Sequence, residues 1–341
     1  MRSDQAAPFT VAAVQAAPVF LDRAATVDKA CRLIADAARQ GARLAVFPEG
    51  FIPAYPLWTW FIPPYKTMEL RELHAELLDN AIEADGDEVR MLRSAAADAG
   101  INVVIGVNER NVEASGTTLY NAMLVIGADG HLHACHRKLV PTVAERIVHG
   151  QGDGSTLAVH ELDIGRLGGL ICWENYMPLA RYAMYAWGAQ IYVAPTWDRG
   201  EPWTSTLRHI AKEGRVYVIG CCMPLRRDDI PDRYSFKAYL PEAEWINPGE
   251  STIIDPDGKF LVEPVREREE ILLAEIDPRK LAGSRFQLDV AGHYARPDIF
   301  ELTVRRTPRP LVRTIDERDA DVISPPEGAP AARGDDALNL E

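Results

Sequence analysis

The order of apolar and polar segments predicts an α/β fold with mixed strand pairing, in which two sheets are covered by helices. Strand-like segments alternate with amphipathic helix-like segments over most of the 341 residues, as in proteins with parallel strands. Hairpin signals are mixed into this alternation. The clearest is Gly127–Gly130, whose Asp-Gly end is typical of a tight turn between antiparallel strands.

The first half of the chain opens with a β-rich segment and then a helix. Val27, Cys31 and Ile34 recur at helical spacing in that helix, and Gly41 follows it where a capping glycine belongs. Pro48 ends the next strand abruptly. The strands predicted in this half are 9–15, 44–47, 101–107, 120–126 and 131–136, and the helices are 24–39 and 88–99.

The second half resumes the strand–helix–strand order after a loop at 139–155. Pro178 lies near the first position of one predicted helix and Gly188 follows its end, which is the usual placement of these two residue types. The strands predicted in this half are 167–172, 190–194 and 216–222, with peripheral antiparallel strands at 251–254 and 271–276, and the helices are 178–187 and 203–214.

The composition changes beyond about residue 305. Residues 315–341 contain eight acidic residues, two basic residues and three prolines, with few large apolar side chains. Such a segment cannot bury enough apolar surface to offset the entropy lost on ordering it. We therefore predict a folded domain over residues 1–304 and a C-terminal tail, disordered or ordered by a partner, over residues 305–341.

The net charge of −13, from 37 basic and 50 acidic residues, excludes some classes of partner. Nucleic acids and anionic membranes are not expected, because phosphate binding needs a basic surface. No stretch approaches 18 uninterrupted apolar residues, so no transmembrane helix is expected. The five cysteines are an odd number without a CxxC pair, which argues against a disulfide framework or zinc site and favours a reducing cytoplasm.

Cys172 is the strongest candidate for a reactive residue. The segment Gly168–Asn175 places it at the carboxyl end of an apolar strand, before a polar turn and a helix. Such strand–turn–helix connections expose nucleophiles, and reactants in open α/β sheets gather at carboxyl strand ends. A structural role is the alternative, because cysteine is among the most frequently buried residue types.

Glu49 and Lys138 each follow a short apolar strand in the same way. Taken singly, Glu49 is typical of a solvated loop residue and Lys138 of a surface charge. With Cys172 they form a coherent chemical set, because a thiol with a pKa of about 8.5 needs a base or a cationic neighbour to react as thiolate. Glu49 can accept the thiol proton and later activate water, and Lys138 can stabilise negative charge.

These residues and the segments around them resemble the nitrilase superfamily, and within it the nitrilase branch. The Glu-Lys-Cys set of the family matches Glu49, Lys138 and Cys172, and the surrounding segments follow in the family's order at compatible spacing. The resemblance runs from about residue 9 to residue 300 and leaves out the tail at 301–341. The matching segments are FPEGFIPAYP at 47–56, HRKLVPT at 136–142, ERIVHGQGDGS at 145–155, CWENYMPLARYA at 172–183, APTWD at 194–198, RHIAKEGRVYVIGC at 208–221 and GHYARPDIF at 292–300.

The resemblance implies a four-layer α-β-β-α sandwich with two mixed β-sheets. It also implies Glu49 as general base, Cys172 as nucleophile and Lys138 as the residue that stabilises the tetrahedral intermediate. Glu145 matches the additional active-site glutamate of the family, which helps to position Lys138 and the substrate. Neither a metal nor an organic cofactor is expected.

The activity that the resemblance implies is hydrolysis of an organic nitrile to the carboxylic acid and ammonia. The reaction passes through a covalent thioimidate and then a thioester on Cys172. The backbone N–H of Trp173, together with Lys138, is expected to bind the substrate atom on which negative charge develops. Tyr55 lies in an aromatic run after Glu49, and it is expected either to line an apolar substrate pocket or to pack within the loop or at a subunit interface.

Three histidines close together in the sequence do not indicate a metal site. No cysteine or carboxylate lies at metal-ligand spacing from His131, His133 and His136. Their alternation along a strand predicts that His133 faces away from the other two.

Other activities stay open on the same residues. An amidase or N-carbamoyl hydrolase would use the same Glu-Lys-Cys set, and cyanide processing is a third option. A non-catalytic scaffold with a relic site is the alternative from another class, and the intact set argues against it. Members of the nitrilase branch form dimers that extend into spirals or filaments, so a cytoplasmic homo-oligomer is expected.

Overall fold

Two mixed β-sheets, each covered by helices on its outer face, form the folded part of the chain. The computed structural model describes residues 7–113, 115–308 and 312, and the described residues up to Thr307 belong to one compact unit. The strands are β1 Phe9–Gln15, β2 Ala42–Val46, β3 Asn102–Arg110, β4 Leu119–Ile126, β5 Leu132–Arg137, β6 His160–Leu162, β7 Gly165–Gly169, β8 Ile191–Thr196, β9 Tyr217–Cys222, β10 Pro224–Arg226, β11 Trp245–Ile254, β12 Phe260–Arg266 and β13 Glu270–Ile276. The helices are α1 Arg23–Arg39, α2 Thr67–Asp79, α3 Asp87–Ala99, α4 Pro178–Ala186, α5 Glu201–Gly214 and α6 Lys280–Arg285.

Both sheets contain parallel and antiparallel pairs, which confirms the predicted mixed pairing. The first sheet has the order β13-β1-β2-β3-β4-β5, with β1, β2 and β3 parallel to one another and the other pairs antiparallel. The second sheet has the order β10-β11-β9-β8-β7-β6, with β7, β8 and β9 parallel and β12 paired to β11.

Alternate residues of β1 reveal the order of the layers, because successive side chains of a strand point to opposite faces. Val11 and Ala13 pack in a core that the two sheets share. Ala12 and Val14 pack in a second core, against α1, α2 and α3. The outer face of the second sheet packs against α4 and α5. The layers are therefore helix, sheet, sheet and helix, which confirms the predicted four-layer sandwich.

The structure departs from the predicted elements in several places, and β6, β10, β12 and α6 lie in stretches for which no element is predicted. The strand predicted at 167–172 ends at Gly169, and residues 172–176 form a short helical turn instead. Helix α2 occupies a stretch for which no element is predicted, and β11 is ten residues long. Because β11 lies between β9 and β10 inside the second sheet, the prediction of a peripheral strand at 251–254 is wrong.

Three strands deliver the candidate residues to one region. Glu49 follows β2, Lys138 follows β5 and Cys172 follows β7, each just beyond the carboxyl end of its strand. The first two strands belong to one sheet and the third to the other, so the candidate site lies across the interface between the sheets.

Two further predictions concern the C-terminal tail and the lack of a transmembrane helix. Of the tail predicted over 305–341, residues 309–311 and 313–341 lie outside the described residues. Within the part of the chain that the structure describes, no helix is long and apolar enough to cross a membrane.

Candidate active site

Cys172 occupies a strained backbone position at the start of the turn after β7. Its φ of +49° lies in the left-handed region, which residues other than glycine rarely adopt and which costs about 1–3 kcal/mol. The side chain is only 4% exposed, and its Sγ accepts a hydrogen bond of 3.3 Å from Oγ1 of Thr196. Such strain persists only where the surroundings enforce it, and it is typical of functional residues.

The Asn175 side chain holds the turn around Cys172 in place. Its Nδ2 donates to the carbonyl oxygens of Leu170 at 2.9 Å and Cys172 at 2.8 Å. Its Oδ1 accepts a hydrogen bond of 2.7 Å from the hydroxyl of Tyr192, which lies on β8 in the second sheet. The turn is thereby tied to the neighbouring strand, which fixes the path of the backbone on both sides of the sulfur.

Lys138 lies between two buried carboxylates. Its Nζ donates to Oε1 of Glu49 at 2.7 Å and to both oxygens of Glu145, at 2.8 and 3.1 Å. Burial by itself would lower the pKa of Lys138, but the Glu49 and Glu145 carboxylates raise it above its ordinary value. Lys138 therefore carries a positive charge throughout the neutral pH range, although no part of its side chain reaches solvent.

Glu49 is fully buried and accepts three hydrogen bonds. Oε1 accepts from Nζ of Lys138 and from Nδ2 of Asn121, each at 2.7 Å, and Oε2 accepts from the backbone N–H of Trp197 at 2.8 Å. Burial raises the pKa of Glu49, and the Lys138 ammonium offsets only part of this effect. A carboxylate with a raised pKa accepts a proton more readily, as a general base must.

The pKa of Glu145 is shifted in the opposite direction to that of Glu49. Burial acts to raise it, but the Lys138 ammonium and further hydrogen bonds lower it below its ordinary value. The hydroxyl of Tyr55 donates to its Oε1 at 2.7 Å and the backbone N–H of Thr142 donates to its Oε2 at 3.0 Å. When two neighbouring carboxyls have pKa values that move apart, one is suited to proton transfer and the other to permanent charge. Here Glu49 is suited to proton transfer and Glu145 to holding Lys138.

The Cys172 thiol is protonated in the resting site. Burial, together with the Glu49 and Glu145 carboxylates, raises its pKa well above the ordinary range, and the Lys138 ammonium opposes this only in part. A stable thiolate is therefore not available before substrate binds. Nucleophilic attack from this site requires that the proton be removed as the sulfur reacts, which is a task for a base rather than for a cation alone.

Four of the six predicted site residues form one hydrogen-bonded cluster: Glu49, Lys138, Glu145 and Tyr55. Cys172 lies within electrostatic reach of the three charged members of this cluster. Trp173 is different, because the residue is 46% exposed and its indole Nε1 donates to Asp198 at 2.8 Å. Its predicted role belongs to its backbone N–H and stays a prediction.

The Tyr55 ring is held from three sides. It stacks on the Trp197 ring with a centroid distance of 4.8 Å and an interplanar angle of 7°. Its hydroxyl accepts a hydrogen bond of 3.0 Å from Nε1 of Trp60 and donates to Glu145. Because Tyr55 is almost completely buried, it is fixed beside the charged cluster rather than in a mobile surface loop.

Sequence reasoning assigned no role to several residues that contact the predicted set, among them Asn121, Thr142, Thr196 and Trp197. It also assigned none to Glu174, which bonds the backbone of Leu139 and Ile171. Thr196 and Trp197 lie in the APTWD segment at the end of β8, so their position at a carboxyl strand end is a signal that was available. Asn121 was detectable too, since asparagine is depleted in strands and this one lies within an apolar run.

The prediction for the histidines at 131, 133 and 136 is wrong in one respect. The rings of His131 and His133 meet edge to face, with centroids 4.8 Å apart, so His133 does not face away from His131. Residues two positions apart on a strand share a face, which explains the contact. Among the described residues, no group of three or more histidine, cysteine or acidic side chains is placed to hold a metal ion.

Comparison with known proteins places this architecture and site in a family. The carbon–nitrogen hydrolase family model matches residues 10–286. An aliphatic nitrilase of Sinorhizobium fredii (strain HH103) is 43% identical over 308 residues, covering 90% of this chain and 98% of that protein. Nitrilase 1 of Arabidopsis thaliana is 40% identical over 313 residues, covering 89% of this chain and 88% of that protein. A bifunctional nitrilase/nitrile hydratase of Lupinus angustifolius is 42% identical over 316 residues, covering 90% of this chain and 89% of that protein.

Solved structures share the fold at lower identity. Nit3 of Saccharomyces cerevisiae superposes with a TM-score of 0.67 at 23% identity, covering 85% of this chain and 98% of that one. An amidase from Nesterenkonia sp. superposes with a TM-score of 0.61 at 20% identity, covering 84% of this chain and 96% of that one. The fold and the matches together show a carbon–nitrogen hydrolase. This chain belongs to that family and, within it, to the nitrilase branch.

Proposed function

We propose that the protein is a nitrilase that converts an organic nitrile to the carboxylic acid and ammonia through a covalent intermediate on Cys172. One observation carries the proposal. A buried cluster of Glu49, Lys138 and Glu145 lies beside Cys172 in a chain that is 43% identical, over nearly its whole length, to a protein named as a nitrilase. The cluster supplies a base, a cation and a fixed counter-charge, and the cysteine supplies the nucleophile.

The first step forms a bond between Cys172 Sγ and the nitrile carbon. Glu49 takes the thiol proton as the sulfur attacks, because the resting thiol is not ionised. One electron pair of the carbon–nitrogen triple bond moves to nitrogen, which receives the proton from Glu49 and gives a neutral thioimidate. The Lys138 ammonium and the backbone N–H of Trp173 stabilise the negative charge that builds on this nitrogen.

Two water molecules complete the reaction. Glu49 takes a proton from the first water as its oxygen adds to the thioimidate carbon. The Glu49 proton and the hydroxyl proton of the adduct both pass to the nitrogen, the carbon–nitrogen bond breaks, ammonia leaves, and a thioester remains on Cys172. A second water, activated in the same way, adds to the thioester. The carbon–sulfur bond breaks, the thiol regains its proton and the carboxylic acid is released.

Glu145 and Tyr55 belong to the site because they position other groups, although neither residue makes or breaks a bond. Glu145 holds the Lys138 ammonium with two hydrogen bonds, and the Tyr55 hydroxyl donates to Oε1 of Glu145. These contacts hold the Lys138 ammonium, at the end of its flexible side chain, in one position. Less conformational entropy is therefore lost when the transition state forms. We assign Tyr55 a place beside the substrate, at the wall formed with Trp197.

An amidase or N-carbamoyl hydrolase is the second candidate, because the same residues would serve it. A nitrile presents one weak acceptor nitrogen and no donors, whereas an amide adds two N–H donors. An apolar pocket would leave those donors unpaired at a cost of about 1–3 kcal/mol. The amidase from Nesterenkonia sp. shares only the fold with this chain, while proteins named as nitrilases share about twice the identity. Cyanide processing is the weaker third option.

The setting of the enzyme is also part of the proposal. We assign it to the cytoplasm, because the five cysteines, all among the described residues, are free thiols, which a reducing compartment favours. We assign it a homo-oligomeric state built from dimers that extend into a spiral or filament. Large apolar side chains on its surface, such as Leu179 and Phe300, support an interface between copies. The catalytic domain is assigned to residues 1–304, and the tail to 305–341.

A matched substrate panel tests the proposed activity. The purified full-length protein is incubated with pairs of nitriles and the corresponding amides, and ammonia and acid are measured over time. We expect acid and ammonia from the nitriles at a faster rate than from the amides, with amide only as a minor product. Faster turnover of the amides across several side chains would replace the nitrilase assignment with the amidase one.

A further inference from the structure

A buried carboxylate outside the Glu-Lys-Cys set joins the two halves of the site. Glu174 is 1% exposed, and each of its oxygens accepts a backbone N–H from a different chain segment. Oε1 accepts from Leu139 at 2.6 Å, and Oε2 accepts from Ile171 at 2.7 Å. Leu139 follows Lys138 in the chain and Ile171 precedes Cys172. One side chain therefore bonds the residue next to the cation and the residue next to the nucleophile.

The same residue encloses the strained position of Cys172. The backbone N–H of Glu174 donates to the carbonyl oxygen of Ile171 at 3.0 Å, while its side chain accepts the N–H of Ile171. Both polar groups of the Ile171 backbone are thus bound to one residue, and Cys172 lies within the enclosed turn. A positive φ at a cysteine persists only where its surroundings enforce it, and this pair of hydrogen bonds is part of that enforcement.

His136 holds the Glu174 carboxylate from a third direction. Its Nε2 lies 3.2 and 3.3 Å from the two carboxylate oxygens, and its Nδ1 lies 3.1 Å from Oγ1 of Thr156. Burial by itself would raise the pKa of Glu174, but His136 and the two backbone N–H groups lower it, so the carboxylate stays ionised. An ionised carboxylate accepts on both oxygens at once, which the two-segment contact requires.

We propose that Glu174, held by His136, is a positioning residue that sets the placement of the Cys172 sulfur relative to the Lys138 ammonium. It touches no reacting atom. It acts through the backbone of Leu139 and Ile171, which belong to segments from different sheets. This inference rests on the proposed roles of Cys172 and Lys138 and adds to them the element that fixes the distance between the two groups.

The substitution Glu174→Gln tests this role at nearly constant side-chain volume. Glutamine has one acceptor oxygen, so it can serve one segment, and its NH₂ group faces the backbone N–H of the other. We expect kcat for nitrile hydrolysis to fall about a hundredfold with KM changed by less than about threefold, because misplacement of reacting groups affects the chemical step. We expect the rate constant for alkylation of Cys172 by iodoacetamide, followed by mass spectrometry, to fall about tenfold or more.

Glu213→Gln is the matched control. Glu213 lies on α5 and accepts hydrogen bonds from Arg181 at 3.0 Å and Tyr185 at 2.9 Å, so the same change removes a similar acceptor in the outer helix layer. This control variant should keep the parent values of kcat, KM and alkylation rate. Thermal unfolding and circular dichroism on both variants report any general loss of stability. Lower stability of Glu174→Gln with unchanged kcat and alkylation rate per folded molecule would show a purely structural role and overturn the proposal.

His136→Asn provides a second test that keeps both backbone hydrogen bonds of Glu174 possible. The variant removes the contact to the carboxylate, so we expect kcat and the alkylation rate to fall together by about tenfold with little change in KM. If Glu174→Gln does not fold, the His136→Asn variant tests the proposal by itself. Values of kcat and alkylation rate equal to those of the parent protein would then contradict the proposal. Alkylation needs no nitrile, so its result is independent of the substrate assignment. Absence of nitrile turnover by the parent protein would contradict the proposed function instead.

Discussion

The Lys138 ammonium and the Glu49 carboxylate form an ion pair of 2.7 Å in which neither side chain reaches solvent. An ion pair at this depth contributes little net stability, because both charges must be desolvated. Removal of one partner is nevertheless costly, since the other charge stays buried without compensation. With Glu145 on the opposite side, Lys138 compensates two carboxylates, so the site is organised around a single cation.

Lys138→Ala should therefore reduce both stability and activity. We expect the free energy of unfolding to fall by about 3–5 kcal/mol, because two buried carboxylates lose their cation. We expect kcat to fall about a hundredfold to a thousandfold, because the charge on the substrate nitrogen loses a preorganised donor. Urea denaturation and ammonia release measure the two effects. Lys29→Ala is the control, since Lys29 pairs with Glu269 at 2.8 Å on the surface and its loss should cost under about 1 kcal/mol.

The effects of Glu49→Gln and Lys138→Ala on kcat should not add. Each single variant removes a part of one proton-transfer and charge-stabilising unit, so the double variant should be scarcely slower than the worse single variant. Steady-state kinetics on the four proteins of the double-mutant cycle supplies the comparison. If the logarithms of the two losses add in the double variant, the two residues act independently and the shared mechanism is incorrect.

Cys172→Ala should abolish turnover and leave the fold intact, as circular dichroism and ammonia release will report. Cys172→Gly should also be inactive but more stable than Cys172→Ala by about 1 kcal/mol. The positive φ costs a residue with a β-carbon about 1–3 kcal/mol, whereas the extra chain entropy of glycine costs about 0.4–1 kcal/mol. At Cys221, inside β9, the order should reverse, with glycine less stable than alanine. Equal stability of the two Cys172 variants would contradict the strain at this position.

The pH dependence of kcat/KM should report the Glu49 carboxylate. Glu49 must be ionised to accept a proton, and burial raises its pKa, so activity should fall with decreasing pH at a value above the ordinary 4.3 or so. Asn121→Ala removes a hydrogen bond that favours the ionised form, which should move this acid limb upward by about one pH unit. Asn102→Ala is the control. Asn102 is also buried but donates to Asp163 rather than to Glu49, so this change should leave the pH at which activity falls unchanged. A downward shift in the Asn121 variant would assign the limb to another group.

Local sequence signals were sufficient to select the residues that are proposed to carry the chemistry. Glu49, Lys138 and Cys172 each follow a short apolar strand, and reactants in α/β folds gather at the carboxyl ends of strands. The rule works because the backbone path alone determines where such residues lie. The four-layer arrangement came from the family resemblance, and the residues of the two faces of β1 then explain how it is packed.

The features that were not predicted from the sequence depend on tertiary contacts. Glu174 is two residues beyond the cysteine, where a glutamate is ordinarily solvated, and only the folded chain shows that it bonds Leu139 in a distant segment. The apolar run before Cys172 is continuous to Ile171, but the strand ends at Gly169, since the turn starts where the side chain of Glu174 captures the Ile171 N–H. Helix α2 has few buried residues, such as Leu73 and Leu77, so its apolar pattern was too weak to detect.

Because the site spans the two sheets, the catalytic rate depends closely on how the two sheets are positioned relative to each other. The proposed base Glu49 and the cation Lys138 follow strands of one sheet, and the proposed nucleophile Cys172 follows a strand of the other. The core between the sheets is apolar, and apolar contacts carry little directional information. A slip of about one ångström between the layers would keep every strand and helix intact, and yet would separate the sulfur from its base. During gradual denaturation, turnover should therefore disappear before the far-ultraviolet signal of the secondary structure changes.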